Sequence, residues 1–204
     1  MAEQDVPSPI NWQSPDEVAE WERTAQNRPG RAEMFEAFGR ELLALGNTHA
    51  SVLELGSGPG FLAAFLLDAC PALRLTLVDF SAPMHDLARA RLGPRAAHVT
   101  FLQRSFKDPA WPQDLGLFDA VITNQAVHEL RHKRHAPRLH AAVRRVLRPG
   151  GVYLVTDGFF GTDGLENNQL HMTVAEQQAT LLAAGFSQVA LVATSGRLAM
   201  HRAT

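Results

Sequence analysis

Two acidic residues flank a glycine-rich turn in the first half of the chain. Glu54 lies in an apolar run that ends at Leu55, and the turn Gly56–Gly60 follows at once. Asp79 ends a second apolar run 19 residues after the turn. A carboxylate at a strand end can accept hydrogen bonds from both hydroxyls of a ribose. The pattern of strand, glycine turn, helix and acidic strand end therefore predicts a site for a ribose-bearing cofactor.

The spacing and charge of the turn distinguish two kinds of cofactor. In the dinucleotide pattern G-x-G-x-x-G counted from Gly56, the third glycine falls at position 61, which is Phe61 in this chain. In addition, Glu54 would repel a pyrophosphate bound at the N-terminus of the following helix. The sequence therefore favours a cationic cofactor without phosphate and disfavours a nicotinamide oxidoreductase.

The segment E-L-G-S-G-P-G at residues 54–60 resembles motif I of the class I S-adenosylmethionine-dependent methyltransferases, and Leu77–Ser81 is similar to their next motif. The resemblance implies S-adenosyl-L-methionine as cofactor, which carries a sulfonium and an ammonium but no phosphate. It also implies that the glycine loop lies against the methionine part, with Glu54 near the ammonium and Asp79 at the ribose. The cofactor-binding residues implied in this half are Glu54, Gly56, Ser57, Gly58, Gly60, Asp79, Phe80 and Met84, the last two as apolar contacts to the adenine.

Two later segments complete the expected cofactor site. Ser105 stands where the family often has an aspartate that binds the adenine amino group, so the chain departs from the pattern there. Serine can still form a hydrogen bond, and Phe106 can cover the adenine face. The segment 118–130 resembles the fourth motif, which implies that Asn124 and Gln125 lie where the cofactor meets the acceptor.

Residues after the fourth motif are candidates for catalysis. Methyl transfer is an in-line displacement at carbon with a good leaving group, so the protein mainly supplies alignment and desolvation. A base is needed only if the acceptor arrives protonated. His128 is the first candidate because a neutral imidazole can take a proton near pH 7, and Glu129 or Asp157 would orient it or act alone. The alternative is that His128 only packs or lines the cofactor pocket.

The segment from His128 to His140 contains four histidines and four arginines or lysines. The positive charges oppose a divalent cation, and no cysteine or carboxylate pair stands at ligand spacing, so no metal site is expected. We expect a solvated basic helix start, with a weak site for an anionic substrate as the alternative.

The composition limits the class of protein. The 204 residues carry 19 basic and 21 acidic side chains, a formal charge of −2, which gives no basis for nonspecific binding to nucleic acid or a membrane surface. The N-terminus is acidic without an apolar signal-peptide core, and no apolar run has the length of a membrane span. A cytoplasmic protein is expected. Cys70 is the only cysteine, which excludes an internal disulfide and indicates a small buried apolar residue.

Apolar runs alternate with helical periodicities from residue 51 onward, and Val152–Val155 is apolar without alternation. Such strands are covered on both faces, which predicts a single-domain α/β fold with a doubly wound parallel sheet. The resemblance implies seven strands in the order 3-2-1-4-5-7-6, with strand 7 antiparallel and helices on both faces. The predicted strands are 51–55, 74–79, 98–103, 118–123, 151–156, 187–193 and 197–202, and the predicted helices after a first one from residue 15 are 32–45, 60–70, 82–92, 135–147 and 173–184.

The expected organisation is a helical segment at 1–46 that covers the mouth of the site and a methyltransferase core at 47–204. Without a basic flank or an inserted lid domain, a small-molecule acceptor is favoured over nucleic acid. An S-adenosylmethionine-binding sensor or non-catalytic partner protein is the alternative, and monomer or homodimer is left open. The pieces available to shape the acceptor pocket are Trp12, Trp21, Arg28, Arg31 and residues 157–172.

Overall fold

The computed structural model describes residues 4–25 and 27–204. Within them, helices and strands alternate from residue 51 onward. The helices are α1 (Pro15–Ala25), α2 (Arg31–Leu43), α3 (Phe61–Ala69), α4 (Ala82–Leu92), α5 (Ala136–Arg145) and α6 (Val174–Ala183). The strands are β1 (Ser51–Leu55), β2 (Arg74–Asp79), β3 (Thr100–Gln103), β4 (Phe118–Asn124), β5 (Leu147–Gly158), β6 (Val189–Ser195) and β7 (Leu198–Ala203).

The strands of this part of the chain form one seven-stranded sheet with the order β3-β2-β1-β4-β5-β7-β6. Strands β1 to β5 run parallel, whereas β7 is antiparallel to both of its neighbours. The chain crosses from one side of β1 to the other between β3 and β4, and α/β proteins bind ligands at the carboxyl ends of the strands beside such a crossing. The expected strand order and directions are confirmed.

Successive residues of the central strands face opposite sides of the sheet, and helices cover both sides. Val52 belongs to one core, together with α2 residues such as Phe38. Leu53 belongs to a second core, together with Val143 of α5 and Leu181 of α6. Full burial of each such side chain contributes about 1.5 to 3 kcal/mol to folding. The double cover explains why the strands lack a polar face.

The largest difference from the predicted boundaries is at β5, which begins at Leu147 rather than at residue 151. Leu147 pairs with Phe118, and the register of the β4–β5 pair shifts between Phe118 and Ala120. Gly150 has a φ of 78° within this irregular stretch, a conformation that glycine adopts readily. A register shift leaves no signal in a hydrophobic pattern, so the strand start predicted at residue 151 lies four residues too late.

Smaller differences, of about two residues, occur at several other boundaries. β3 starts at Thr100 because residues 93–98 form a 3-10 helix, and α2 ends at Leu43. Cys70 follows the last residue of α3 and is half-buried, so the expectation of a buried cysteine inside the helix is wrong. α2 packs on the sheet, and the division of the chain at residue 46 stays a prediction. No helix in the described ranges has the length and apolar character needed to cross a membrane.

Candidate cofactor and acceptor site

A cavity of about 330 Å³ lies at the carboxyl ends of β1, β2 and β4, beneath the N-terminal segment. It is the crevice that the strand order predicts. Gly60, Ser105 and Asp157 do not reach its wall. The predicted site residues that do line it are Glu54, Gly56, Ser57, Gly58, Asp79, Phe80, Met84, Phe106, Asn124, Gln125, His128 and Glu129.

Two positions of the loop after β1 favour glycine for different structural reasons. Gly56 has a φ of 66°, and a Cβ there would lie 2.4 Å from the Cβ of Ala126. Gly58 has a φ of 54°, and a Cβ there would meet no protein atom within 4 Å. Gly56 therefore lets the loop pack against the segment after β4, whereas Gly58 leaves backbone open to a ligand in the cavity.

Asp79 connects the glycine loop to the helix that follows β2. Its Oδ2 accepts the amide of Gly58 at 2.8 Å, and its Oδ1 accepts the amide of Ser81 at 2.9 Å. Burial raises the pKa of Asp79 to about 6, although both amides favour the ionised form. The N-cap of α4 is Ser81, whose hydroxyl accepts the amide of Met84. Each carboxylate oxygen retains capacity for a further hydrogen bond, as a ribose requires.

Glu54 is a buried carboxylate without a counterion among the described residues. The residue is 3% exposed, and Oε2 has no hydrogen-bond partner. Burial and the nearby charge of Asp79 raise the pKa of Glu54 to about 8. Ser57 Oγ and Asn124 Oδ1 are also buried without partners in the same cavity. Buried polar groups are normally satisfied, so these atoms fit a polar ligand that carries a positive charge near Glu54.

The expected adenine residues are only partly brought together. Met84 and Phe106 are buried at the cavity wall, and Phe80 lies beside them. Ser105 is directed elsewhere, since its hydroxyl accepts the amide of Lys107 at 3.2 Å. The contact between Ser105 and the adenine therefore stays a prediction. Phe106 lines the cavity and remains the candidate to cover the adenine face.

His128 also lines the cavity and lies between two carboxylates. Its Nδ1 is 2.7 Å from Oδ1 of Asp157, and its Nε2 is 3.4 Å from Oε1 of Glu129. Burial disfavours the imidazolium, but the two carboxylates outweigh this effect and raise the pKa of His128 to about 10. Asp157 is itself fixed, because it also accepts the amides of His128 and Gly158. The structure therefore brings His128 and Asp157 together as a hydrogen-bonded dyad, and its role in catalysis stays a prediction.

Glu129 joins this dyad to the N-terminal segment. Its Oε2 accepts Nε1 of Trp12 at 3.2 Å and lies 3.5 Å from Nη1 of Arg131. Burial raises the pKa of Glu129, but hydrogen bonding and charge from His128 and Arg131 outweigh this, and the pKa is lowered overall. The acceptor side of the cavity thus contains an ionised carboxylate beside the imidazole.

The histidine-rich segment is less solvated than expected. Arg131 is 6% exposed and donates to the carbonyls of Val6 and Pro7. His140 is completely buried between Tyr153 and Gln177. The expectation of a solvated basic helix start is wrong at these positions, because partners distant in sequence compensate their polarity.

The structure also brings a second histidine, from the segment 157–172, beside the candidate catalytic residues. His171 lies beside the dyad, with a ring centroid 5.4 Å from that of His128. Its Nδ1 is 3.1 Å from the carbonyl oxygen of Gly158. Ligand atoms of His128, Asp157 and His171 lie within 4.8 Å of one another, a grouping able to hold a metal ion. In the absence of an ion, the 2.7 Å separation of His128 and Asp157 is that of a hydrogen bond.

Only some of the residues expected to shape the acceptor pocket line the cavity. Trp12, Trp21, Arg28 and Arg31 all line the cavity, whereas of residues 157–172 only Leu170 does. Arg131 also lines the cavity and could not be predicted there from the sequence, because its position depends on hydrogen bonds to the N-terminal segment.

The fold and the site define a Rossmann-like protein with a cavity suited to a cationic, ribose-bearing cofactor. Residues 52–151 match the family described as a methyltransferase domain. Among solved structures, the complex titled DhpI-SAM-HEP has a TM-score of 0.70 at 22% identity, covering 95% of this chain and 94% of that one. Residues 52–151 are therefore a methyltransferase domain, and the matches support S-adenosylmethionine as its cofactor, as the resemblance to the class I methyltransferases implied.

Two curated relatives differ in what their names say they methylate. Malonyl-[acyl-carrier protein] O-methyltransferase of Chlorobium phaeovibrioides is 34% identical over 63% of this chain. Ribosomal RNA small subunit methyltransferase C of Citrobacter koseri is 32% identical over 55% of this chain. The match covers 50% of the first relative's length and 33% of the second's. The relatives therefore do not identify the methyl acceptor of this chain.

Proposed function

We propose that the protein transfers a methyl group from S-adenosylmethionine to a small-molecule acceptor by in-line displacement. The observation that carries the proposal is that Glu54, Asp79 and His128 line one and the same cavity. When bound, the cofactor supplies a methyl group activated by a sulfonium. The residues of the chain position the two reactants and exclude water, which accounts for most of the catalysis in such a displacement.

The cofactor would be held by groups that this structure leaves unsatisfied. Glu54 would bind the ammonium, and Asp79 would accept the ribose hydroxyls. Gly58 would place backbone against the methionine part, and Phe106 would cover the adenine. Ser105 is proposed only as a weaker partner of the adenine amino group. Asn124 and Gln125 would lie between cofactor and acceptor, at the end of β4.

His128 would act as the general base for an acceptor that arrives protonated. Asp157 orients the ring through Nδ1, which leaves Nε2 on the side of Glu129 and the cavity. An acceptor hydroxyl or amine near Nε2 would transfer its proton there, provided that the imidazole is neutral. Because His128 has a raised pKa, we expect this neutral form to become abundant only at alkaline pH.

The N-terminal segment supports an acceptor of small size. It is hydrogen-bonded to residues that line the cavity, with Trp12 joined to Ser81 and Glu129, and Gln13 joined to the carbonyl of Phe80. We propose that residues 1–46 act as a cover, on the basis of its described part. A covered cavity admits a metabolite more readily than a folded RNA or protein surface, and the formal charge of −2 offers no attraction to RNA.

Calorimetry and turnover together test this function. The protein is titrated with S-adenosylmethionine, S-adenosylhomocysteine and NAD, and binding of NAD alone would rule it out. Transfer of a labelled methyl group is then measured on a metabolite extract, an acyl-carrier protein and ribosomal RNA in separate reactions. Labelling confined to the metabolite extract is expected. Tight cofactor binding without transfer to any of the three would favour the sensor instead.

A further inference from the structure

Arg31 is a buried cation that lines the cavity without a neighbouring carboxylate among the residues that the structure describes. It is 6% exposed at the start of α2 and lines the same cavity as Glu54. Its Nη2 donates to Oε1 of Gln125 at 3.0 Å, whereas Nε is buried without a hydrogen-bond partner. Among the described residues, the one charge that perturbs it is another cation, Arg28. The guanidinium therefore has donors and charge that the protein does not satisfy.

Burial disfavours the charge of Arg31, and aromatic rings compensate it only in part. Its guanidinium carbon lies 5.4 Å from the ring centroid of Phe61 and 5.9 Å from that of Trp21, which are distances of weak cation–π attraction. Burial, with a contribution from Arg28, lowers the pKa of Arg31 to about 10, which leaves it protonated at neutral pH. A buried charge without a counterion is unfavourable, so such a group is expected to receive an anion.

The cavity thus has a buried cation, Arg31, and a buried carboxyl group, Glu54, which form no ion pair with each other in the described structure. Because its pKa is raised to about 8, Glu54 is mostly protonated at neutral pH until a cation binds beside it. A ligand that compensates both carries a carboxylate and an ammonium, as an α-amino acid does. Given the proposed function, we propose that Arg31 binds the carboxylate of the methionine part of the cofactor while Glu54 binds its ammonium.

Two backbone features fix Arg31 in this position. Gly30 precedes it with a φ of 81°, and a Cβ there would lie 2.8 Å from the carbonyl oxygen of Ser195, so α2 starts in close contact with the β6–β7 turn. Gln125 has a φ of 54°, which is uncommon for a residue other than glycine, and its amide donates to the carbonyl of Thr156 at 2.7 Å. Gln125 is therefore a positioning residue for the guanidinium.

The proposal predicts that the ligand carboxylate contributes to binding only when Arg31 is present. Calorimetry compares S-adenosylhomocysteine with its analogue that lacks the carboxylate, 5′-deoxy-5′-(3-aminopropylthio)adenosine. The wild-type protein is expected to bind S-adenosylhomocysteine about 10- to 100-fold more tightly, the range for a hydrogen bond to a charged group. In Arg31→Ala this preference is expected to disappear, because only the affinity for S-adenosylhomocysteine falls.

Arg40→Ala is the matched control, since Arg40 lies on the same helix, is exposed and does not line the cavity. It is expected to retain the full preference for the carboxylate. Thermal unfolding is measured for each variant. Arg31→Gln retains part of the side-chain stem and replaces Arg31→Ala if that variant does not fold.

Three outcomes would overturn the proposal in distinguishable ways. Equal weakening of both ligands by the Arg31 substitutions would assign the side chain a structural role. Unchanged affinity for S-adenosylhomocysteine with a raised KM for the acceptor would assign the anion to the acceptor. Failure of the wild-type protein to bind either S-adenosylmethionine or S-adenosylhomocysteine would overturn the proposed function itself, so wild-type binding is measured first.

Discussion

The carboxylate of Asp157 contacts both the backbone and the ring of His128, 29 residues earlier in the chain. Oδ2 accepts the amide of His128 at 2.8 Å, and Oδ1 lies 2.7 Å from Nδ1. One carboxylate thus fixes the position of the residue and the orientation of its imidazole. This leaves Nε2 as the ring atom that can meet an acceptor.

Replacement of Asp157 by asparagine should therefore impair the chemical step more than cofactor binding. An amide at Asp157 no longer stabilises the imidazolium or fixes the tautomer, and general-base catalysis contributes about 10²- to 10⁴-fold to a rate. We expect Asp157→Asn to lower kcat within this range when methyl transfer is measured by labelling. Asp163→Asn on the following exposed loop is the control. A normal kcat would exclude the dyad from catalysis.

The charge of Glu129 should set the pH at which His128 becomes a base. A neighbouring carboxylate stabilises the imidazolium and raises its pKa, so removing that charge should lower the pKa of His128 and increase the neutral fraction at pH 7. In Glu129→Gln, an NMR titration of the His128 ring should give a lower midpoint, and kcat should begin to rise at lower pH. Glu166→Gln, on the loop after β5, serves as control. An unshifted midpoint would contradict the assigned geometry.

Asp79 should contribute strongly to cofactor affinity. Loss of hydrogen bonds to a charged group costs about 1 to 3 kcal/mol, so Asp79→Ala should weaken S-adenosylhomocysteine binding by about 5- to 150-fold in calorimetry. Asp79 also holds the amides of Gly58 and Ser81, so the melting temperature is recorded in parallel. Asp86→Ala on the exposed face of α4 should leave the affinity intact. Unchanged affinity in Asp79→Ala would contradict the placement of the ribose.

Gly56 and Gly58 should respond differently to the same substitution. Gly56→Ala forces a side chain into Ala126 and should lower the melting temperature clearly. Gly58→Ala meets no protein atom and should cost the fold only about 1 to 2 kcal/mol of backbone strain, while its methyl group enters the cavity and weakens S-adenosylhomocysteine binding. Calorimetry and thermal unfolding of both variants separate the two effects. Equal melting temperatures would argue against the contact with Ala126.

Features determined by nearby residues could be predicted from the sequence. The bounds of β1, β2 and α4 were predicted to the residue, because turn glycines, an acidic strand end and the Ser81 cap mark them locally. Glu54 and Asp79 were placed in the cavity for the same reason, since each lies at a fixed distance from a strand end.

Features determined by distant partners could not be predicted. Arg131 carries a charge and stands in a basic segment, yet it is buried because carbonyls about 125 residues away accept its hydrogen bonds. The lack of an ion pair at Arg31 among the described residues could not be predicted either, because it depends on which acidic side chains lie near Arg31 in the fold. Such positions require the folded chain, since hydrophobicity and charge patterns describe only one partner of each contact.

Trp12 is hydrogen-bonded to two residues that line the cavity. Its carbonyl accepts the hydroxyl of Ser81, and its indole donates to Glu129. Movement of Trp12 away from the cavity would break both contacts. We therefore expect departure of the demethylated cofactor to limit turnover, which product-inhibition kinetics can reveal.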